Sequence, residues 1–216
     1  VVFGTTTGWR SPANQEMNVH PGLEYSLVDT ERGLLILASA LVEKCLQRWG
    51  ISGQVVATAL GQKLDRLNFK HPLAHVDPGY DRLSPIYVAE YATAEDGTGI
   101  VHSAPAYGVD DFNSCVSNGL AYNDILNPVQ GNGQYAADFP LFGGQPIWKA
   151  VPLIIDALKV AGRLVGTADI THSYPHCWRH KSPVIYRAAA QWFVRMDEGE
   201  GVFTDPAQKP AQTLRQ

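Results

Sequence analysis

The chain has 216 residues, of which 45% are hydrophobic and 18% charged, with a formal net charge of −4. At about 150 residues per domain this is one large domain, or one with appendages, and so few charges exclude wholesale disorder. No apolar run approaches the ~18 residues needed to cross a bilayer, the opening residues do not read as a signal peptide, and three scattered cysteines argue for a reducing, cytoplasmic setting.

The opening VVFGTTT is strand-like. Glu24–Asp29 and Leu34–Ala38 flank Thr30-Glu31-Arg32-Gly33 and read as a hairpin. Ser39 is placed to cap a helix running to Trp49, on which Leu41, Val42, Cys45, Leu46 and Trp49 follow helical spacing and Gly50 is the stop. Val55–Leu60 and Pro85–Ala92 read as strands, and Gly99–Ser103 as a short β-branched one. A helix is predicted near Asp110, where two acids suit the positive end of a helix. Trp148–Ala161 is amphipathic and stops at Gly162, and the DPAQKPAQTLRQ end reads as a polar tail. Short strands outnumber helices, with frequent Gly and Pro between them. That pattern favours a β-rich core with peripheral helices over a doubly wound sheet. Both ends look cut, and the chain is expected to be a piece of a larger protein.

The charge is uneven. Lys159, Arg163, Arg179, Lys181, Arg187 and Arg195 stand against only Asp156 and Asp169 between residues 151 and 195, in an otherwise acidic chain. Such a segment is either a solvated basic face or a surface that meets phosphates.

Three stretches carry chemistry. Gly4-Thr5-Thr6-Thr7-Gly8-Trp9-Arg10 groups hydroxyls and amides that can hold a polar substrate or a water; as pattern alone it is equally an edge strand and turn. In Asp96–Phe112 a glycine turn leads into His102, then a Pro/Gly loop, then Asp110 and Asp111. Small residues beside His102 leave room for a ligand, and an acid on the next loop can face back and pair with an ammonium group; the same residues also fit a buried histidine and a helix cap. His176, Cys177 and His180 are metal ligands by type, but no second Cys/His pair lies nearby, and no metal site is expected. GxSxG, HExxH, Walker and GxGxxG patterns are absent, so any hydrolysis is expected to use a bound water.

TTTGWRSPANQ, NVHPGLEY, HPLAHVD, DGTGIVHSAPAYGVDDF and HSYPHCWRHKSPVIYRAAAQWFV occur in this order. Together they resemble the editing (CP1) domain inserted in the catalytic domain of bacterial isoleucyl-tRNA synthetases, over nearly the whole chain. GTGIVHSAP…DDF is common to the isoleucyl, valyl and leucyl enzymes, and HSYPHCWRHKSPVIYRA points to the isoleucyl one. The resemblance implies one α+β domain over residues 1–195, with a β-barrel-like core and peripheral helices. Residues 166–195 would return to the parent catalytic domain, and 196–216 would be the tail or linker. It implies hydrolysis of valine from the 3′ end of tRNA(Ile), and of valyl-adenylate as a further substrate, with no cofactor. A second, smaller pocket is needed because one methylene gives a single pocket too little discrimination.

Carried onto this chain, Asp111 would bind the α-ammonium group and His102 would wall the side-chain pocket. Thr5, Thr6 and Thr7 would contact the terminal adenosine and position the water. Trp9, Asn14, Ser103, Ala104 and Asp110 would line the substrate site. The chain departs from the family's TTTPWT run at Gly8 and Arg10, has Ser11 where an apolar residue is usual, and has Tyr107 for a frequent histidine and His180 for a second cysteine. Two other readings remain: an acceptor-end binding module with little turnover, and a valyl-type domain clearing Thr-tRNA, which HSYPHCWRHK disfavours.

Overall fold

The computed structural model describes residues 1–169, 171 and 173–192. The expected tail, 196–216, and the end of the returning segment lie outside the described residues. The strands are β1 (Glu16–Val19), β2 (Glu24–Thr30), β3 (Gly33–Ala38), β4 (Gly53–Leu60), β5 (Asn68–Lys70), β6 (Leu83–Val88) and β7 (Ile100–Ser103). The helices are α1 (Val42–Trp49), α2 (Val109–Ser117) and α3 (Ile147–Val160).

The strands form two sheets, ordered β5-β6-β1-β7 and β3-β2-β4. In the first, β1 runs parallel to β6 and antiparallel to β7. The second is the expected hairpin extended by β4, with an irregular register between Leu27 and Val28. The two sheets share one core, in which Met17, Val19, Ile86 and Ile100 meet Val28, Leu35 and Leu37. Isolated bonds join them, such as Ala38 N–H to Thr98 O (2.9 Å) and Tyr25 OH to Gly99 O (2.7 Å). The sheets are held face to face by apolar burial rather than by a continuous ladder. Among the described residues they do not close into the expected barrel.

A second core lies beyond the end of the first sheet. Trp9 and Ala13, from a 3-10 turn over Gly8–Ala13, pack there with Ile147, Ala150 and Ile154 of α3. Tyr135 and Phe142 complete it from the long loop before that helix. The described residues between 166 and 192 carry little regular structure, but Ala188 N–H donates to Ala106 O (2.7 Å) and Arg187 Nε donates to Val129 O (2.5 Å). Arg187, counted from sequence among the basic surface charges, is thus used internally.

Three local expectations are corrected. Val1–Thr7 forms no strand: Val2 N–H reaches Ile36 O (3.2 Å), but Phe3 is then drawn onto the His102 ring (centroids 5.1 Å apart), so the chain leaves the sheet edge. Ser39 does not cap α1. Its hydroxyl pairs with that of Ser26 (2.7 Å), and a 3-10 turn over Ser39–Leu41 precedes the helix. The strand expected over Pro85–Ala92 is displaced to Leu83–Val88, where Ile86 pairs with Met17 of β1. The other helix ends agree with the sequence, including Gly50 as a left-handed terminator at φ 64°.

Gly99 takes φ 75°, and a Cβ there would lie 2.4 Å from the Ala38 Cβ. Gly97 takes φ 72° with nothing within 4 Å. Gly97→Ala pays backbone strain alone, about 1 kcal/mol, whereas Gly99→Ala adds overpacking between the sheets, for about 2–4 kcal/mol in all. Urea unfolding of the two variants beside the parent chain measures the difference.

Candidate active site

The site forms where the end of β7, the N-terminal turn of α2 and the Thr5–Ala13 segment converge. Asn14 is the keystone. It is 2% exposed, and its Nδ2 donates to Glu16 O (2.8 Å) and to His102 Nδ1 (2.8 Å), while its Oδ1 accepts from Ser84 Oγ (2.5 Å). The strand β1 is thereby tied to both of its neighbours at the level of the site. Arg82 straps the same turn, donating to Asn14 O (3.1 Å) and to Pro12 O.

Because Asn14 donates to Nδ1, the His102 proton sits on Nε2. Burial, with Arg10 and His71 nearby, pushes the His102 pKa down to about 3, so the ring is neutral. Its Nε2 is one of three buried side-chain atoms without a hydrogen-bond partner among the described residues, with Trp9 Nε1 and Thr98 Oγ1. His102 is 3% exposed and covered by Phe3.

Asp111 is recessed in the first turn of α2, with its Oδ2 accepting from Ala104 N–H (3.1 Å). Burial raises its pKa, and the Ala104 amide and Arg10 pull the other way. Gly108 must be small here, since a Cβ would fall 2.9 Å from the Asp111 carboxyl. Beneath α2 lies a buried polar network. Asn18 accepts from Tyr91 OH (2.8 Å) and Ser103 Oγ (2.6 Å), and donates to Ser114 Oγ (2.9 Å) and Glu16 Oε1 (3.2 Å). Burial raises the Glu16 pKa as well.

Thr5 and Thr6 are exposed, and Thr7 is half-buried. Thr5 Oγ1 accepts from Thr7 N–H (3.1 Å), and the two hydroxyls are 3.4 Å apart. Arg10 joins this hydroxyl shelf to the acid: its Nε donates to Thr7 Oγ1 (2.8 Å), and its Nη1 reaches Tyr107 O (3.1 Å) and Asp111 Oδ2 (3.4 Å).

Of the residues picked from sequence, Thr7, Ala104 and Asp111 therefore meet, and Thr5 joins them through Thr7. His102 and Ser103 stand behind this group, and Asn14 deeper still. Trp9 is buried against Tyr107 (5.1 Å) and Trp148 (6.3 Å) in the second core, and Asp110 faces solvent. Sequence reasoning missed Ser84, Arg82 and the Glu16–Asn18–Ser114 network. The polar run in β1 was the available signal, since Glu16 and Asn18 alternate with the apolar Met17 and Val19 yet all four are buried. Arg10 stood out only as an extra charge.

No family model matches the chain. It is 54% identical to an isoleucine–tRNA ligase of Cupriavidus taiwanensis and 53% identical to one of Burkholderia pseudomallei, in each case over 100% of this chain and 22% of the relative. The chain thus spans about a fifth of the length of those curated relatives. Among solved structures it resembles the leucyl-tRNA synthetase domain GlLeuRS-CP1 (TM-score 0.59, 15% identity, covering 79% of this chain and 82% of that one). It also resembles the P. knowlesi cytosolic leucyl-tRNA synthetase editing domain (TM-score 0.53, 10% identity, covering 73% and 80%). The fold is that of the CP1 editing domains of class I aminoacyl-tRNA synthetases. Within that class, the chain is similar over its whole length to a segment of bacterial isoleucyl-tRNA synthetases.

Two measurements probe the buried polar groups. Asn14→Ala leaves His102 Nδ1 and Ser84 Oγ unpaired in the interior, and is expected to cost about 2–4 kcal/mol in denaturant unfolding. His71 is 2% exposed, with Nε2–H on Ser11 O (3.0 Å) and Leu73 N–H on Nδ1 (3.2 Å). Burial and Arg82 push its pKa from 6.5 down to about 4. Below pH 6.5 the unfolded chain therefore binds a proton that the folded chain refuses, so folding stability falls as pH drops toward about 4. Against His71→Gln, the parent chain should lose more stability across that window in paired urea titrations, because the remaining titrating groups are common to both.

Proposed function

We propose that this chain hydrolyses valyl-tRNA(Ile), releasing valine from the tRNA 3′ end, and that valyl-adenylate is a further substrate. The observation that carries the reading is the recessed Asp111 carboxylate set beside the Thr5–Thr7 hydroxyl shelf. Asp111 is the partner for the α-ammonium group, and Thr5 and Thr7 hold the attacking water near the ester carbonyl. Thr6, exposed on the same shelf, contacts the terminal adenosine. Phe3, backed by His102, walls the side-chain end, where valine fits and isoleucine, larger by one methylene, does not.

The chemistry is positional. His102 cannot act as a base near neutral pH, since its pKa is pushed down to about 3 and its Nδ1 is engaged by Asn14. An aminoacyl ester is already activated, so fixing its ammonium group and a water in one geometry removes much of the entropic barrier. The partners on this reading are the valine-carrying 3′ end of tRNA(Ile) and the catalytic body of the parent synthetase, and the place of action is the cytoplasm.

The Arg10–Asp111 contact favours a second reading, an acceptor-end clamp with little turnover, because a cation already sits at the ammonium site. Deacylation of Val-tRNA(Ile) beside Ile-tRNA(Ile), with Asp111→Ala as control, separates the two. Loss of valine alone, slowed about 100-fold or more by the substitution, supports the hydrolase. Binding of tRNA without deacylation above the spontaneous rate supports the clamp.

A further inference from the structure

Asp111 is the acid that the proposed function gives to the substrate's ammonium group, and its side chain is only 9% exposed. The carboxylate oxygen that accepts from Ala104 N–H, Oδ2, is also the one that Arg10 approaches. Among the described residues Arg10 forms the ion pair made to this acid. We propose that Arg10 is a specificity-determining residue of this site: its guanidinium competes with the substrate ammonium for Asp111. The inference rests on the editing reading and goes beyond it, because it concerns a residue at which the chain departs from the TTTPWT pattern.

The geometry shows how the competition operates. Arg10 makes three contacts of unequal length: 2.8 Å to Thr7 Oγ1, 3.1 Å to Tyr107 O and 3.4 Å to Asp111 Oδ2. The contact to Asp111 is the longest of the three. An incoming ammonium can take it over while the bonds to Thr7 and Tyr107 still hold the guanidinium nearby. The backbone beneath is fixed, with Trp9 buried in the second core and Arg82 bonded to Pro12 O, so the side chain moves rather than the turn. A tethered cation beside the ammonium site lowers the affinity of every cationic ligand and leaves neutral acyl groups untouched. Discrimination of this kind is a repulsive element built into the site. The same bond to Thr7 occupies that hydroxyl oxygen as an acceptor and leaves its hydrogen to be donated, toward Thr5 or a water.

The test uses two non-hydrolysable adenosine amides, one carrying valine and one carrying 3-methylbutanoate, which is valine without its amino group. Neither has a phosphate, so no other anion on the ligand draws Arg10. Both are titrated calorimetrically into this chain, Arg10→Ala and Arg10→Gln, the last keeping a polar stem without the charge. The expected result is about 3- to 10-fold tighter binding of the valyl amide to both variants, somewhat above the range of an exposed ion pair because this one is partly buried, with the neutral amide unchanged. In an Asp111→Asn background the two cations no longer compete for a carboxylate and only their mutual repulsion remains, so the gain should be clearly smaller. Equal gains for both amides, or none for the valyl amide when the parent chain binds it, would overturn the competition and leave the editing site standing. Failure of every form of the chain to bind either amide would overturn the editing site and this inference with it.

Discussion

One carboxamide, that of Asn14, holds the site together. A buried amide group must satisfy its donors and its acceptor or lose the full cost of desolvation. Asn14 does so by reaching the β1 backbone, the His102 ring of β7 and the Ser84 hydroxyl of β6. Those bonds set the height of β1 against its neighbours. They also determine which nitrogen of His102 is protonated, and they put the Gly8–Ala13 turn over the end of the sheet. The rest of the site follows from that placement, since Arg10 and Thr7 ride on the same segment.

The consequence for chemistry is a division between rigid and open parts. Asp111, His102, Ser103 and Asn18 are buried and each is held by a hydrogen bond within the protein, so they keep their geometry without a ligand. Thr5 and Thr6 are exposed and stand where a large substrate would arrive. A preorganised acid with a hydroxyl shelf suits a reaction that needs orientation more than proton transfer. The raised pKa values of Glu16 and Asp111 show what this costs: two carboxyl groups are kept partly out of water under α2. Arg10 offsets part of that for Asp111, and stands at the place a substrate cation would need.

Elements governed by local periodicity were legible. The hairpin from Glu24 to Ala38, α3 and β7 lie close to where hydrophobic spacing and the glycines put them. Elements governed by distant partners were not. VVFGTTT has every property of a strand, yet Phe3 is claimed by His102, nearly a hundred residues away. Ser39 has the chemistry of a cap, yet its hydroxyl is claimed by Ser26. Barrel closure depends on whether sheet edges meet, and no residue pattern encodes that. Trp9 was expected to line the substrate site, and its side chain is buried in the second core against Tyr107 and Trp148, partners that come from far along the chain.

The sequence by itself determined the family and the positions of the candidate groups, because the order of threonines, histidine, acid pair and the long HSYPHCWRHK run is carried in the chain. It also determined the helices and hairpin whose signals are local. The tertiary structure alone decided that Asn14 is an interior anchor, that His102 is neutral and sealed, and that Arg10 sits on Asp111. Each of those depends on burial and on partners far off in sequence, and a side chain's charge state and hydrogen bonds exist only once the solvent around it has been replaced by particular neighbours.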